Sequence, residues 1–336
     1  MRALRTLCLL LLTIALAAGA WVWFDYQRFL GAPLDVGFAP RALEVERGDS
    51  FTRVVGKLSS SGMTSAHSLY WRFLGWRSGT AQRLQVGEYD IAPGTGPADL
   101  LQQLHQGRVR QYRFTIVEGW NIRELRAELA KRRDVVQTLA GVDDVEFMKR
   151  LGRLGVHPEG RFLPETYAFV RGERDVDLLG RAAAAMDREL ESAWSHRAPD
   201  LPIHTSEEAL ALASVIEKET GVAGERRQIA GVFTRRLKIG MLLQTDPTVI
   251  YGIGDAYAGN ITRKHLETDT PYNTYTRAGL PPTPIAMPGA AAIVAAVDPA
   301  PGDALYFVAR GDGSHEFSAN LAQHNAAVAR FQLGRR

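Results

Sequence analysis

The sequence predicts an α+β chain in three parts: an N-terminal transmembrane helix, a small βααβ unit, and a larger mixed α/β domain with a buried central helix. Three observations carry this. Leu7 to Phe24 is 18 residues without a charge, residues 42–91 read in the order strand, helix, helix, strand, and Ala209 to Ile216 is eight uncharged residues without a single apolar stripe. With 46% hydrophobic residues, a chain of 336 residues can bury a sizeable core.

The first segment is about 27 Å of helix, enough to cross a hydrocarbon core of ~30 Å, and Leu4 extends it. Arg2, Arg5 and the amino terminus precede it, which places the N-terminus in the cytoplasm and the rest of the chain outside it. A cleaved signal peptide is the rival reading, since Ala15-Leu16-Ala17 and Ala18-Gly19-Ala20 resemble cleavage sites. Trp21 to Phe24 continue the apolar run past those sites and set two tryptophans at the outer interface, which favours a retained anchor.

Residues 25–40 read as a juxtamembrane linker, broken by Gly31, Pro33, Gly37 and Pro40. In the small unit, 41–108, Ala42 to Val45 is a strand, Ser50 caps a helix through Leu58, and Thr64 or Ser65 caps another through Leu74. Gln85 to Ile91 returns as a strand, and a helix from Pro97 to Leu104 closes at Gly107.

The larger domain, 109–334, opens on a strand, Val109 to Val117, alternating Tyr112, Phe114 and Ile116 against Arg113 and Thr115 and ending at Glu118-Gly119. Surface helices follow at Asn121 to Arg132 and Asp143 to Leu151. Pro158 to Val170 is irregular, Asp175 to Trp194 is a long amphipathic helix, and Gly224 to Leu237 another helix. Ala304 to Ala309 and His315 to Ser318 form a hairpin before a closing helix, Asn320 to Phe331.

Thr205 and Glu208 have the spacing of a capping box at the start of the central helix. At about 100° per residue, Glu217 falls within about 60° of Leu210, Ala213, Ser214 and Gly221, a face of mostly small side chains open to close approach. Glu219 falls on the opposite side. A carboxyl at the end of a poorly solvated helix is costly to ionise, and the raised pKa suits a general acid. The competing reading is a solvated or ion-paired glutamate, with Lys218, Arg226 and Arg227 at hand.

A dense polar and aromatic stretch comes next: Gln244-Thr245-Asp246-Pro247, Tyr251, Tyr272-Asn273-Thr274-Tyr275 and Gly279-Leu280-Pro281-Pro282. Proline-stiffened loops carrying such side chains suit a sugar, whose hydroxyls take polar partners and whose faces stack on rings. Each residue alone is more simply a turn; together they point to a groove. A net charge of +3, from 40 basic and 37 acidic residues, leaves no strong footprint for nucleic acid. The only cysteine, Cys8, lies in the apolar segment, and the eight histidines, His315 and His324 among them, show no metal-ligand spacing, so no metal or other cofactor is expected.

Ala213-Ser214-Val215-Ile216-Glu217-Lys218-Glu219-Thr220, the Gln244 to Pro247 turn with Tyr251, Tyr272 to Tyr275 with Gly279 to Pro282, and His315 with Phe317 resemble the endolytic murein transglycosylases of the YceG-like family. The resemblance is strong from Glu159 to Phe331 and weaker from Leu43 to Gly107, where the family carries a LysM-like subdomain. It departs at Arg161 and Leu163, where aromatics are commoner.

The resemblance implies an enzyme of the inner membrane, with its catalytic domain in the periplasm, acting on peptidoglycan glycan strands. It would cut the MurNAc to GlcNAc β-1,4 bond within nascent strands, leave a 1,6-anhydro end and so terminate elongation. It carries the catalytic glutamate onto Glu217, and cell-wall synthases become candidate partners. Substrate-binding candidates are Gln244, Asp246, Tyr251, Tyr272, Asn273, Thr274 and Tyr275. One carboxyl suffices where the sugar's own C6 hydroxyl is the nucleophile. Two alternatives stay open: a muramidase with Asp246 or Glu219 as second carboxylate, and a non-catalytic wall-binding scaffold. A cytoplasmic lyase using pyridoxal phosphate is disfavoured by the anchor.

Overall fold

A computed structural model describes the backbone of residues 2–334 and the side chains of residues 4–334. Met1 and the Arg2 side chain, counted above among the charges before the apolar segment, lie outside the described residues. The chain divides into two compact units, the first ending at Tyr112 and also taking in Ala168–Glu173, the second holding Arg113–Tyr167 and the residues from Arg174 onward.

In the first unit, helix α1 (Arg2–Gly31) is long and apolar enough from Leu4 to Gly31 to cross a membrane, a measure that an anchor and a signal sequence both meet. Strand β1 (Arg41–Val45), helices α2 (Phe51–Ser60) and α3 (Ser68–Arg77), strand β2 (Gly87–Ile91) and helix α4 (Pro97–Gln106) follow. β1 and β2 are antiparallel, with Arg41 opposite Ile91 and Val45 opposite Gly87. Ser50 caps α2, its hydroxyl accepting from the Arg53 amide at 3.2 Å, and Gly107 ends α4 with φ 63°. His67, not Thr64 or Ser65, caps α3. Leu43, Val45, Val54, Leu58, Trp71, Tyr89, Ile91, Leu100 and Leu104 form the core.

The linker expected at 25–40 is different in the structure. α1 runs on to Gly31, and Tyr26, Phe29, Leu34 and Val36 are buried in the same core. Proline and glycine are spaced too late to stop the helix at Phe24, and the apolar residues between them find the core of the small unit within reach. Ala168–Glu173 joins this unit through Phe169, stacked on Tyr112 at 5.7 Å, and Arg171, which pairs with Glu44 at 3.2 Å and Glu88 at 3.3 Å.

Strand β3 (Gln111–Thr115) leads to helix α5 (Ile122–Ala130), the short strand β4 (Val135–Val136), helix α6 (Asp144–Arg150), strand β5 (Thr166–Val170), the two-residue β6 (Glu173–Arg174) and helix α7 (Asp175–Ser195). β5 pairs with β3, so part of the stretch expected to be irregular is regular; its prolines and glycine all precede Thr166. Helices α8 (Ser206–Glu219), α9 (Arg226–Lys238), α10 (Asp246–Ile253), α11 (Arg263–Glu267) and α12 (Ala290–Val297) come next, then the hairpin β7 (Tyr306–Ala309) and β8 (His315–Ser318), and helix α13 (Leu321–Val328).

The Thr205 hydroxyl caps α8 by accepting from the Glu208 amide at 3.2 Å, while the Glu208 carboxylate reaches back to the His204 amide. Every residue from Ala209 to Ile216 is buried. They pack among Met186 and Leu190 of α7, Ile229 and Phe233 of α9, and Ile293 and Ala296 of α12. The alanines of α12 let it approach α8 closely. Truncating a side chain such as Ile216 in this cluster to alanine costs about 2–5 kcal/mol.

Candidate active site

The segment Ile285–Gly289 is laid along α8 by a series of short bonds. Ser214 Oγ donates to Ala211 O at 2.7 Å and accepts from the Ile285 amide at 2.9 Å. The Met287 amide donates to Trp120 O at 2.7 Å, and the Gly119 amide donates back to Met287 O at 2.9 Å. The Gly289 amide then donates to Glu217 Oε2 at 2.9 Å. The loop after β3, the start of α12 and the end of α8 thus converge on one carboxyl.

Glu217 is on the last turn of α8, and its side chain is 5% exposed. Arg226 at the start of α9 holds Nη2 3.5 Å from Glu217 Oε1 and 3.6 Å from Glu118 Oε2, so one guanidinium nitrogen serves both acids. Glu118 is half exposed and presses on Gly289, where an added Cβ would meet its carboxylate. Burial drives the Glu217 carboxyl above its ordinary pKa; the Gly289 amide and Arg226 pull it down, and the nearby charge of Glu118 pushes it up again. The net direction is upward. Both the rival reading of Glu217 as an ion-paired residue and the reading as a raised-pKa acid therefore describe part of the same group.

The Lys218 ammonium donates to Gly119 O at 3.2 Å. Gly119 and Lys218 also line a cavity of about 560 Å³ with Asn121, Arg123, Tyr251 and Ile285. Tyr251 packs edge-on to Tyr272, with ring centroids 4.8 Å apart, and its hydroxyl donates to Glu159 at 3.0 Å. Glu159 is fully buried and also accepts from the Ile122 amide at 3.1 Å at the first turn of α5. Burial pushes its carboxyl up to about 7, against the pull of these donors.

Glu219 faces a different cavity, of about 630 Å³, which it lines with Gln244, Asp246, Tyr275, Tyr306, His315 and His324 among others. The Thr245 hydroxyl donates to Glu219, the Tyr275 hydroxyl donates to Asp246 at 2.6 Å, and Glu225 holds His315 Nδ1 at 2.7 Å. Gln244 is exposed and has φ 49°, fixed by its amide's bond to Thr274 O at 3.1 Å; a left-handed non-glycine residue at a cavity wall is the kind of strain binding sites hold.

The candidate residues are thus not all gathered in one groove. Gln244, Asp246 and Tyr275 share the Glu219 cavity, Tyr251 with Tyr272 behind it lies by Lys218, and Asn273 and Thr274 face neither. Asn273 is 1% exposed and spends its amide nitrogen on the carbonyls of His265, Leu266 and Thr268, while its oxygen accepts from the Tyr275 amide. Thr274 is buried on Thr245 and Thr248. The side chains of these two are spent on bonds that hold the loop together. Arg161 and Leu163 are likewise turned inward, Arg161 to an ion pair with Glu207 and Leu163 into the core.

Asp246 and Glu219, considered above as second carboxylates, sit in the other cavity; the acid coupled to Glu217 is Glu118. Sequence reading gave Glu118 only as a strand end and did not single out Gly289. The signal for Gly289 was a glycine directly before an uncharged alanine-rich run, an N-cap position; for Glu118, far from Glu217 in the chain, no spacing gives a signal.

Residues 43–330 match the model of the YceG-like family. The endolytic murein transglycosylase of Bacillus subtilis (strain 168) is 28% identical over 306 residues, which are 86% of this chain and 84% of that protein. The endolytic murein transglycosylase of Streptococcus pneumoniae serotype 2 (strain D39 / NCTC 7466) is 26% identical over 94% of this chain and 62% of its own length. Among solved structures, a YceG-like protein from Listeria monocytogenes superposes with a TM-score of 0.52 at 27% identity, covering 86% of this chain and 99% of that one.

Proposed function

The chain belongs to the YceG-like family, and on that premise we propose that it is an endolytic murein transglycosylase whose single acid and base is Glu217. The observation that carries the assignment of the residue is the setting of Glu217: nearly buried, raised in pKa, and fixed by one backbone amide and one guanidinium, with its chain neighbour Lys218 on the wall of a cavity.

Protonated Glu217 gives its proton to the glycosidic oxygen as the bond from C1 of the MurNAc unit to that oxygen breaks, freeing the GlcNAc hydroxyl. The C6 hydroxyl of the same MurNAc unit then bonds to C1 and returns its proton to the Glu217 carboxylate. The acid is regenerated, no water is consumed, and a 1,6-anhydro end remains. Arg226 and the Gly289 amide favour the carboxylate formed midway, so they steady the charge that appears during the reaction. The strand would lie across the C-terminal end of α8, with Tyr251 and Lys218 on one side and Gln244, Asp246 and Tyr275 on the other.

The N-terminal helix would hold the chain in the inner membrane with the body in the periplasm, where nascent strands are made; Arg5 ahead of the apolar run and Trp21 and Trp23 at its far end support that orientation. The small unit of the order β, α, α, β would be the LysM-like subdomain, and cell-wall synthases would be candidate partners. A hydrolase with Glu118 as second carboxylate is the one alternative with an observation behind it, the shared Arg226.

Mass spectrometry of fragments released from glycan strands by the full-length chain separates the two. Anhydro ends are expected; reducing ends alone would mean hydrolysis.

A further inference from the structure

α3 carries an apolar face that the core does not use. Trp71 and Leu74 point inward and are buried, whereas Leu69, Phe73 and Trp76 are 57%, 48% and 70% exposed. At about 100° per residue these three fall within about 60° of one another, with Arg72 on one flank and Arg77 on the other, both exposed. Large apolar groups aligned on a short helix and edged by cations are the composition of a helix that lies in a membrane interface.

The position of α3 on α1 makes that assignment specific. The exposed apolar run of α1 ends at Phe24, and the next residue, Asp25, accepts from the Tyr70 hydroxyl of α3 at 2.8 Å. Tyr26 then meets Phe73 edge-on at 5.4 Å and Tyr70 at 5.7 Å. α3 is therefore seated within one turn of the place where α1 leaves its lipid-facing stretch, about 3 Å of helix rise beyond Phe24. Phe73 and Trp76 are in ring contact at 6.1 Å, so the patch is continuous from α1 outward.

We propose that the Leu69–Phe73–Trp76 face of α3 docks on the outer interface of the same phospholipid bilayer that α1 spans. The aromatic rings sit at headgroup level, Arg72 and Arg77 meet lipid phosphates, and the small unit is held down on the membrane at a second point besides the span. The inference rests on reading α1 as a retained span.

The test uses the full chain, with Cys8 changed to Ser, reconstituted into phospholipid vesicles. Nitroxide labels are placed one at a time through Leu69→Cys, Phe73→Cys and Trp76→Cys, with Leu12→Cys in the middle of the apolar run as the marker of the span and Gln102→Cys as a water-exposed marker. Collisions with oxygen and with a polar nickel chelate are then measured. The expected result is that the three α3 labels are severalfold more protected from the chelate than the Gln102 label and open to oxygen, as the Leu12 label is. Full access to the chelate on α3, with the Leu12 label in lipid, overturns the docking alone. Protection from both reagents would mean that a protein surface, either a second copy or another chain, covers the face, and also overturns it. A Leu12 label open to the chelate would remove the membrane span and this inference together.

Discussion

The Gly289 amide and the Glu217 carboxylate meet across 2.9 Å, a bond between the residue that caps α12 and the last turn of α8. It sets the side-chain rotamer of the acid, and it leaves Oε1 to Arg226. The charges around this pair decide where the acid titrates.

Removing the Arg226 charge takes away a group that lowers the Glu217 pKa. Arg226→Gln should therefore move the basic limb of the pH–rate profile to higher pH, because Glu217 keeps its proton longer. The rate at the optimum should fall roughly tenfold to hundredfold, since the carboxyl loses one of its two anchors. The pH dependence of kcat/KM measures both effects.

Glu118 acts in the opposite sense, its charge raising the Glu217 pKa. Glu118→Gln should shift the basic limb to lower pH. Gly289→Ala should do the same, because its Cβ would meet the Glu118 carboxylate and the half-exposed side chain can swing away; φ at Gly289 is −73°, which alanine adopts freely. The double variant should shift the limb no further than either single one, since both act through the same charge. Thermal unfolding should change by less than about 1 kcal/mol in each.

Tyr275→Phe removes the hydroxyl donated to Asp246 in the other cavity. If that cavity holds part of the strand, KM should rise roughly fivefold, the worth of about one hydrogen bond, while the pH profile stays in place. An unchanged KM would remove the cavity from the binding groove.

Glu159 has a stability signature. Its carboxyl is raised from 4.5 to about 7 by burial. A raised carboxyl contributes stability that is fully present below the unfolded value and lost as pH rises through the folded one, here between about 4.5 and 7, a loss on the order of 3 kcal/mol. Glu159→Gln cannot ionise and should flatten that fall, which denaturant unfolding at pH 5 and pH 8 would show.

Much of this was legible in the sequence where a single physical signal was strong. The uncharged run of α8 and the capping spacing at Thr205 located that helix and put Glu217 on a face of small residues, because burial and helical periodicity are local properties. The residues that couple to Glu217 were legible only in part. Arg226 was one of three nearby cations that could pair with it, whereas Glu118 and Gly289 act through a contact between segments far apart in the chain. α10 was hidden by the Asp246-Pro247 pair, which marks a first helical turn as well as it marks a loop, and α12 by having no polar face to give it a period. Asn273 and Thr274 show the converse: polar residues in a proline-rich loop bind their own backbone as readily as a ligand.

The central claim is that one buried acid carries the chemistry, and turnover of glycan strands by the Glu217→Gln chain tests it most directly. The substituted side chain keeps an oxygen that accepts from the Gly289 amide and cannot donate an acidic proton, so the rate should fall roughly 10²- to 10⁴-fold with strand binding unchanged. Turnover at the rate of the unaltered chain would contradict it.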